Sequence, residues 1–339
     1  MGLGLRVKNK ENLLPSDVPR KRLIKTHVKT NPHYGKSPKD RTLEELFEAG
    51  VLLVDKPSGP TCHQIDAWVR DMLNISKVGH AGTLDPKVTG VLPLGIGKAT
   101  RGLHVLSSTG KEYIAVMKLH NDVSEEKVKQ VLKEFIGTIE QLPPVRSAVK
   151  RVRRKRNIYY IKFLEKKDRD VLFKVGCQAG TYVRTLCVDL GKRLGCKAHM
   201  AKLRRTRVGN IYEDNLTTLH DVKDAYEFWK EDKDYEEFFT LLYPIEILFN
   251  AIPKIIVRDS AVDALCHGAD LAIPGVVELD TKIEKNDPVA IMTLKKEVVA
   301  FGKAICSTEN IINKDHGVCA SVDQVFMKKG TYPSIWKKH

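Results

Sequence analysis

"KEYIAVMKLHNDVSEEKVKQVLKEFIG" (111–137) sets two periodicities back to back. From Lys111 the apolar residues alternate, so Tyr113, Ala115, Met117 and Leu119 share one face of an expected strand. After Ser124 the spacing becomes helical, with Val128, Val131, Leu132 and Phe135 inward and Gly137 as the stop. The next three segments decide the class. "IYYIKFL" (158–164) and "DVLFKVGC" (170–177) read as two strands paired around a polar turn. "TYVRTLCVDLGKRLG" (181–195) is helical again, its stripe being Val183, Leu186, Cys187, Leu190 and Leu194. Strands and helices intermix without a regular βαβ beat, so the expected class is α+β.

Upstream, "RTLEELFEAG" (41–50) carries capping-box spacing at Thr42 and Glu45, and "VLLV" (51–54) reads as a short buried strand. The next helix repeats Ile65, Trp68, Val69 and Met72 on what should be one core face. Residues 1–40, basic and broken by four prolines, read as an irregular N-terminal arm. Downstream, "YEFWKEDKDYEEFF" (226–239) is an acidic, aromatic helical stretch, and "YPIEILFNAIPK" (243–254) reads as a connector. Beyond it, "KIIVR", "DPVAIMTL", "VVAFGKAI" and "GVCASVDQVFM" are short strands. With one helix at "SAVDALCHGA" they make a small, mainly β module. The expected boundaries are 1–40, 41–250 and 251–335.

The chain has 57 Lys plus Arg against 42 Asp plus Glu, a net charge of +15 that favours a polyanionic partner such as nucleic acid. No stretch approaches the roughly 18 uninterrupted apolar residues of a membrane span, and no signal peptide is evident, so a cytoplasmic location is expected. The seven cysteines are scattered without a C-x-x-C pair, which argues against a disulfide framework and against a zinc site. "KRVRRKR" (150–156) leads into Tyr159 and Tyr160, cations beside stacking rings that suit RNA. A solvated cationic face is the lesser alternative for that run, and "KLRRTR" (202–207) is a second cluster with Leu203 inside it.

Two stretches carry candidate chemistry. In "GHAGTLDPKVTGVLPLG" (79–95) glycines and prolines surround one carboxylate, Asp85, which suits either an ordinary turn or a catalytic acid on a rigid loop. A phosphate-loop reading of Lys98 fails, because Leu92 and Ala99 stand where glycine and Ser or Thr are needed. In "GTYVRT" (180–185) Arg184 sits in a first helical turn, where the dipole offers a cation nothing, so a carboxylate or phosphate partner is expected; taken alone, Tyr182 and Arg184 more often read as surface residues.

Taken in order, "GVLLVDKPSGPT", "GHAGTLDPKVTGVLPLGIGKATR", "KEYIAVMKLH", "PPVRSAVKR", "GTYVRTLCVDLG" and "GCKAHMAKLRRTRVG" resemble the pseudouridine synthases of the TruB family. The likeness is to its archaeal and eukaryotic dyskerin branch, and it covers about 40–335. "HGADLAIPGV" resembles the early RNA-contacting segment of a PUA domain. The resemblance implies a mixed, mostly antiparallel central sheet with surrounding helices, plus a small β-barrel PUA domain. It implies isomerisation of RNA uridine to pseudouridine without cofactor or metal. Asp85 matches the catalytic aspartate, Tyr113 the tyrosine that stacks on the flipped base, and Arg184 the arginine paired with the aspartate. Tyr182, Leu203 and His80 match active-site wall positions, and Lys56 and Pro57 a nearby structural loop. Lys150, Arg151, Arg153, Arg154, Arg204 and Arg205 are the expected RNA-binding cations. Implied partners are an H/ACA guide RNA, substrate rRNA, possibly tRNA, and small H/ACA proteins, with no membrane. A stand-alone tRNA T-loop synthase and a non-catalytic RNA-binding scaffold are the competing readings. The sequence departs from the branch at Cys62 and Ala81, where serine is usual; Cys62 is expected at most to alter a helix cap.

Overall fold

A computed structural model describes residues 13–143, 150, 152–232 and 236–334. Among them, strands form two sheets, of ten and seven strands. The larger runs in the order Leu242–Pro244, Gly50–Lys56, Thr89–Ile96, Ala198–Val208, Lys111–Leu119, Asp170–Cys177, Arg154–Lys167, Gly137–Gln141. Val78–His80 and Ile211–Tyr212 pair alongside it. All these pairings are antiparallel except that of Thr89–Ile96 with Ala198–Val208, the mixed sheet the resemblance implied. The alternation of 111–119 is realised in full, every second residue from Lys111 being buried.

One face of this sheet is covered by helices Cys62–Met72, Glu125–Glu134, Val183–Leu194 and Leu219–Asp232, whose apolar stripes enter a shared core. The expected stripe of 183–194 is buried throughout. Trp68 departs from expectation: Ile65 and Val69 are buried, but Trp68 is 48% exposed. It lies about 100° around the helix from Val69, beyond the edge of the buried stripe.

The opposite face packs on a second core that the two sheets share. Val51, Leu53 and Val91 meet Ile256, Met292 and Phe301 through the segment 245–252. Read in sequence as a connector, that segment is core: Ile245, Leu248, Phe249 and Ile252 are all buried. The seven-stranded sheet curls around a third core that includes Ile255, Leu279, Ile291 and Tyr332. It carries two helices, Asp259–Cys266 and Thr308–Asn313, where one was expected. The second has only six residues, too few to show a period, and is started by the Ser307 side chain accepting from the Asn310 amide.

The N-terminal arm is not irregular throughout. Arg22–Ile24 adds an antiparallel strand to Val276–Asp280, with Arg22 paired to Asp280 and Glu278 at the seam.

Candidate active site

The turn-rich stretch after strand Val78–His80 is fixed by three buried side chains that arrive from distant parts of the chain. Lys56 has no exposed surface, and its Nζ donates to the carbonyls of Pro57, Pro86 and Val88 at 2.8, 2.9 and 3.0 Å. Arg205, equally buried, donates to the carbonyls of Val91 at 2.8 Å, Gly82 at 2.7 Å and Ala81 at 3.4 Å. Cys62 Sγ accepts from the Leu84 amide at 3.1 Å. The helix cap itself is intact, since Thr61 and Gln64 form the capping box, so Cys62 acts on the loop and not on the cap. These ties bracket Asp85 on both sides. Val88 N donates to Asp85 O at 2.9 Å, closing the turn while the carboxylate stays free to face outward.

Asp85 and Arg184 meet as an ion pair across the mouth of a pocket of about 210 Å³. Both side chains are partly exposed, at 48% and 38%, so the pair is reachable from solvent. Arg184 is placed by the first turn of helix Val183–Leu194, whose start is held by Gln141: its amide donates to Tyr182 O at 3.1 Å and accepts from Tyr182 N at 3.0 Å. The carboxylate partner expected for a cation at that helix position is therefore Asp85.

Tyr113 lines the pocket from the central strand Lys111–Leu119, in register with Arg205 on the neighbouring strand. Burial pushes its hydroxyl up to about 12, with the Arg205 charge acting in the opposite sense, so the ring remains neutral. Tyr182, Leu203, Val183 and Met200 complete an apolar wall. Lys111 lies at the buried end of the pocket, where burial first, and then the neighbouring Arg205 charge, bring its ammonium down to about 8. Lys111, Gln141 and the Cys62 contact were not singled out from sequence. Lys111 opens the alternating strand and so belongs to its buried face by period alone, a signal that was available.

Several sequence expectations need correction. His80 is absent from the pocket lining; its Nδ1 lies 2.6 Å from Asp66 Oδ2 and its Nε2 3.1 Å from Thr83 Oγ1. Arg205 is buried and saturated by backbone carbonyls, so it frames the loop and offers RNA no free cation. Arg204 is neutralised by a two-pronged pair with Asp55, 2.9 Å at each nitrogen, and by Glu213 at 2.7 Å. Both lie on a strand in the middle of the sheet, where charges must be compensated within the fold. Lys150, Arg153 and Arg154 are exposed, Arg153 beside Glu140 at 3.3 Å. Arg151 lies outside the described residues.

The arrangement offers chemistry to a planar ring: a solvent-reachable carboxylate held by a guanidinium, a neutral aromatic face, and a rigid loop. Comparisons with known proteins supply the family. Residues 70–183 match the N-terminal domain of TruB family pseudouridylate synthases, and 184–250 the C-terminal domain of tRNA pseudouridylate synthase B. Residues 253–326 match the PUA domain and 12–66 the DKCLD domain. A probable tRNA pseudouridine synthase B of Methanopyrus kandleri is 51% identical over 97% of each chain. One of Methanothermobacter thermautotrophicus is 53% identical over 91% of this chain and 95% of its own. Among solved structures, a Cbf5–Nop10–Gar1 complex contains a chain 50% identical, with a TM-score of 0.91 over 95% of this chain and 98% of that one. An H/ACA ribonucleoprotein bound to a substrate RNA containing 2'-deoxyuridine contains one 48% identical, with a TM-score of 0.89 over 96% and 100%.

Proposed function

Because the chain belongs to the TruB family of pseudouridylate synthases, we propose that Asp85, Tyr113 and Arg184 are its working residues on a uridine turned out of an RNA strand. The observation that carries this assignment is the Asp85–Arg184 pair at the mouth of a pocket lined by Tyr113. A base leaving its stack loses aromatic contact, and the Tyr113 ring restores it. The reaction breaks N1–C1′, forms C5–C1′ and releases the proton from C5, while N1 gains one. A carboxylate serves as nucleophile or base in such a sequence. Arg184 positions it, and Lys56, Arg205 and Cys62 deny its loop the freedom to retreat.

The substrate class is supported by the solved relatives, one of which sits in an H/ACA ribonucleoprotein bound to a substrate RNA and another in a complex with Nop10 and Gar1. Together with the sequence resemblance, this supports a chain that modifies rRNA under a guide RNA with small protein partners; a cytoplasmic location is part of the same proposal. Residues 41–250 then form the catalytic domain and 251–335 the PUA module; no helix among the described residues is long and apolar enough to cross a membrane. The names of the curated relatives favour tRNA as a second substrate.

The test is release of tritium from C5-labelled uridine, in a guide-paired rRNA fragment and in bare tRNA, with and without partner proteins. Asp85→Asn is expected to abolish release on both while leaving guide-RNA affinity unchanged. Turnover retained in that variant overturns the assignment; turnover only on bare tRNA overturns the guide-dependent reading.

A further inference from the structure

A second cluster of chemistry-bearing side chains lies outside the pocket lining. His63 and Asp66 stand one turn apart on helix Cys62–Met72, and His80 faces them from strand Val78–His80. Asp66 Oδ2 lies 2.6 Å from His80 Nδ1 and 3.7 Å from His63 Nδ1, and one ligand atom from each residue falls within 4.8 Å of the others. The two imidazoles meet edge to face with centroids 5.0 Å apart.

We propose that His63, Asp66 and His80 bind one divalent transition-metal ion of the Zn²⁺ type, with a fourth position open to water. A tetrahedral ion with bonds of about 2.0 Å sets neighbouring donors about 3.3 Å apart. The observed 2.6 and 3.7 Å bracket that spacing. Asp66 and His80 side chains are 15% and 7% exposed and thus fixed, whereas His63, at 83%, is free to swing in as the third ligand. Two further observations point to a cation. Asp66 Oδ1 is buried with no hydrogen-bond partner, a cost that is removed where the carboxylate holds the ion through both oxygens. His80 Nε2 lies 3.1 Å from Thr83 Oγ1, the outer contact that typically orients a ligating imidazole and leaves Nδ1 aimed inward. Two imidazoles with one carboxylate suit Zn²⁺, Co²⁺ or Ni²⁺ and not the all-oxygen preference of Mg²⁺ or Ca²⁺. The ion takes the place of the proton shared between His80 and Asp66. It thereby ties the helix to the strand that leads into the Asp85 loop.

The full chain, stripped with chelator, is titrated with Co²⁺ while its visible ligand-field absorption is followed, then with Zn²⁺ by calorimetry. One Co²⁺ per chain with tetrahedral intensity is expected, displaced by Zn²⁺ and untouched by Mg²⁺. His63→Ala, at an exposed position that leaves the fold intact, and Asp66→Asn should each weaken Zn²⁺ binding by about tenfold or more. His120→Ala removes the other close imidazole pair, His120 Nε2 with His199 Nδ1 at 3.0 Å, and should leave the affinity unchanged. Zn²⁺ should raise the melting temperature of the parent and not of His63→Ala. Absence of saturable one-to-one binding, undiminished affinity in His63→Ala, or binding lost in His120→Ala overturns the site.

Discussion

Lys111 is the residue whose environment asks most of it. An ammonium at the buried end of the pocket, beside the Arg205 guanidinium, is held down to about 8 chiefly by burial. The unfolded chain keeps that proton up to about 10.4, so between the two values the unfolded state binds more protons than the folded one. Stability therefore rises with pH across that window, and the penalty of the buried charge is present in full below about 8. By this linkage the penalty is roughly 3 kcal/mol. Lys111→Met, which keeps length and burial, should be the more stable protein at pH 7. Its advantage over the parent should shrink steadily from pH 8 to beyond pH 10. The difference between the two proteins is the quantity to measure by chemical denaturation, because the buried thiols of Cys177 and Cys187, pushed up to about 12, erode stability at alkaline pH in both. An advantage independent of pH would show that Lys111 holds its proton equally in both states, as a fixed anionic partner would make it do.

At the scale of elements, the site depends on the one parallel strand pairing described in the larger sheet, where Thr89 and Gly90 lie beside Arg204 and Arg205. A Cβ at Gly90 would stand 2.2 Å from Arg205 O, at a φ of +102° that side chains rarely adopt. Gly137 has nearly the same φ, +108°, but a Cβ there meets nothing within 4 Å. Gly137→Ala should cost only backbone strain, about 1–2 kcal/mol, and Gly90→Ala about 2 kcal/mol more. Thermal or urea unfolding of both reads the difference, and equal losses would mean that the strands part without cost. The same contact explains what sequence could and could not reveal. The strand 111–119 and the helix 183–194 were legible because their burial follows a local period. Arg204 and Arg205 were misread because their compensating groups come from 149 and 123 residues away, at Asp55 and Gly82. A basic run in sequence carries no mark of whether its partners are phosphates or the protein's own carbonyls. Asp85, Tyr113, Tyr182, Arg184 and Leu203 do converge on one pocket; the ordered motifs, not charge or period, had signalled it.

For the whole molecule, residues 14–41 act as a strap across both sheets. Leu14 is wholly buried, and Asp17 pairs with Arg207 of the larger sheet while Ser16 Oγ accepts from the same guanidinium at 3.1 Å. Farther along, Arg22 pairs with Asp280 of the smaller sheet, Lys25 donates to the carbonyls of Ile312 and Lys314 at the end of helix Thr308–Asn313 at 3.0 and 2.7 Å, and Thr30 donates to Asp259 at the start of helix Asp259–Cys266 at 3.0 Å. The strap then returns, Arg41 gripping Glu246 in the shared core segment at 2.8 and 2.6 Å. Burial works against the Arg207 charge, and Asp17 more than restores it. Removing residues 1–30 leaves that guanidinium buried without its carboxylate, a loss of about 3–5 kcal/mol for a broken buried pair. It also exposes the edge of Val276–Asp280 that Arg22–Ile24 covers. Scanning calorimetry of the full chain should show one transition, since the shared core couples the sheets. The chain lacking 1–30 should begin to unfold earlier and in two steps, and Asp17→Asn should reproduce the earlier onset without the second step. A truncated chain that melts with the full one would show that the shared core suffices and that the strap serves only to cover an edge.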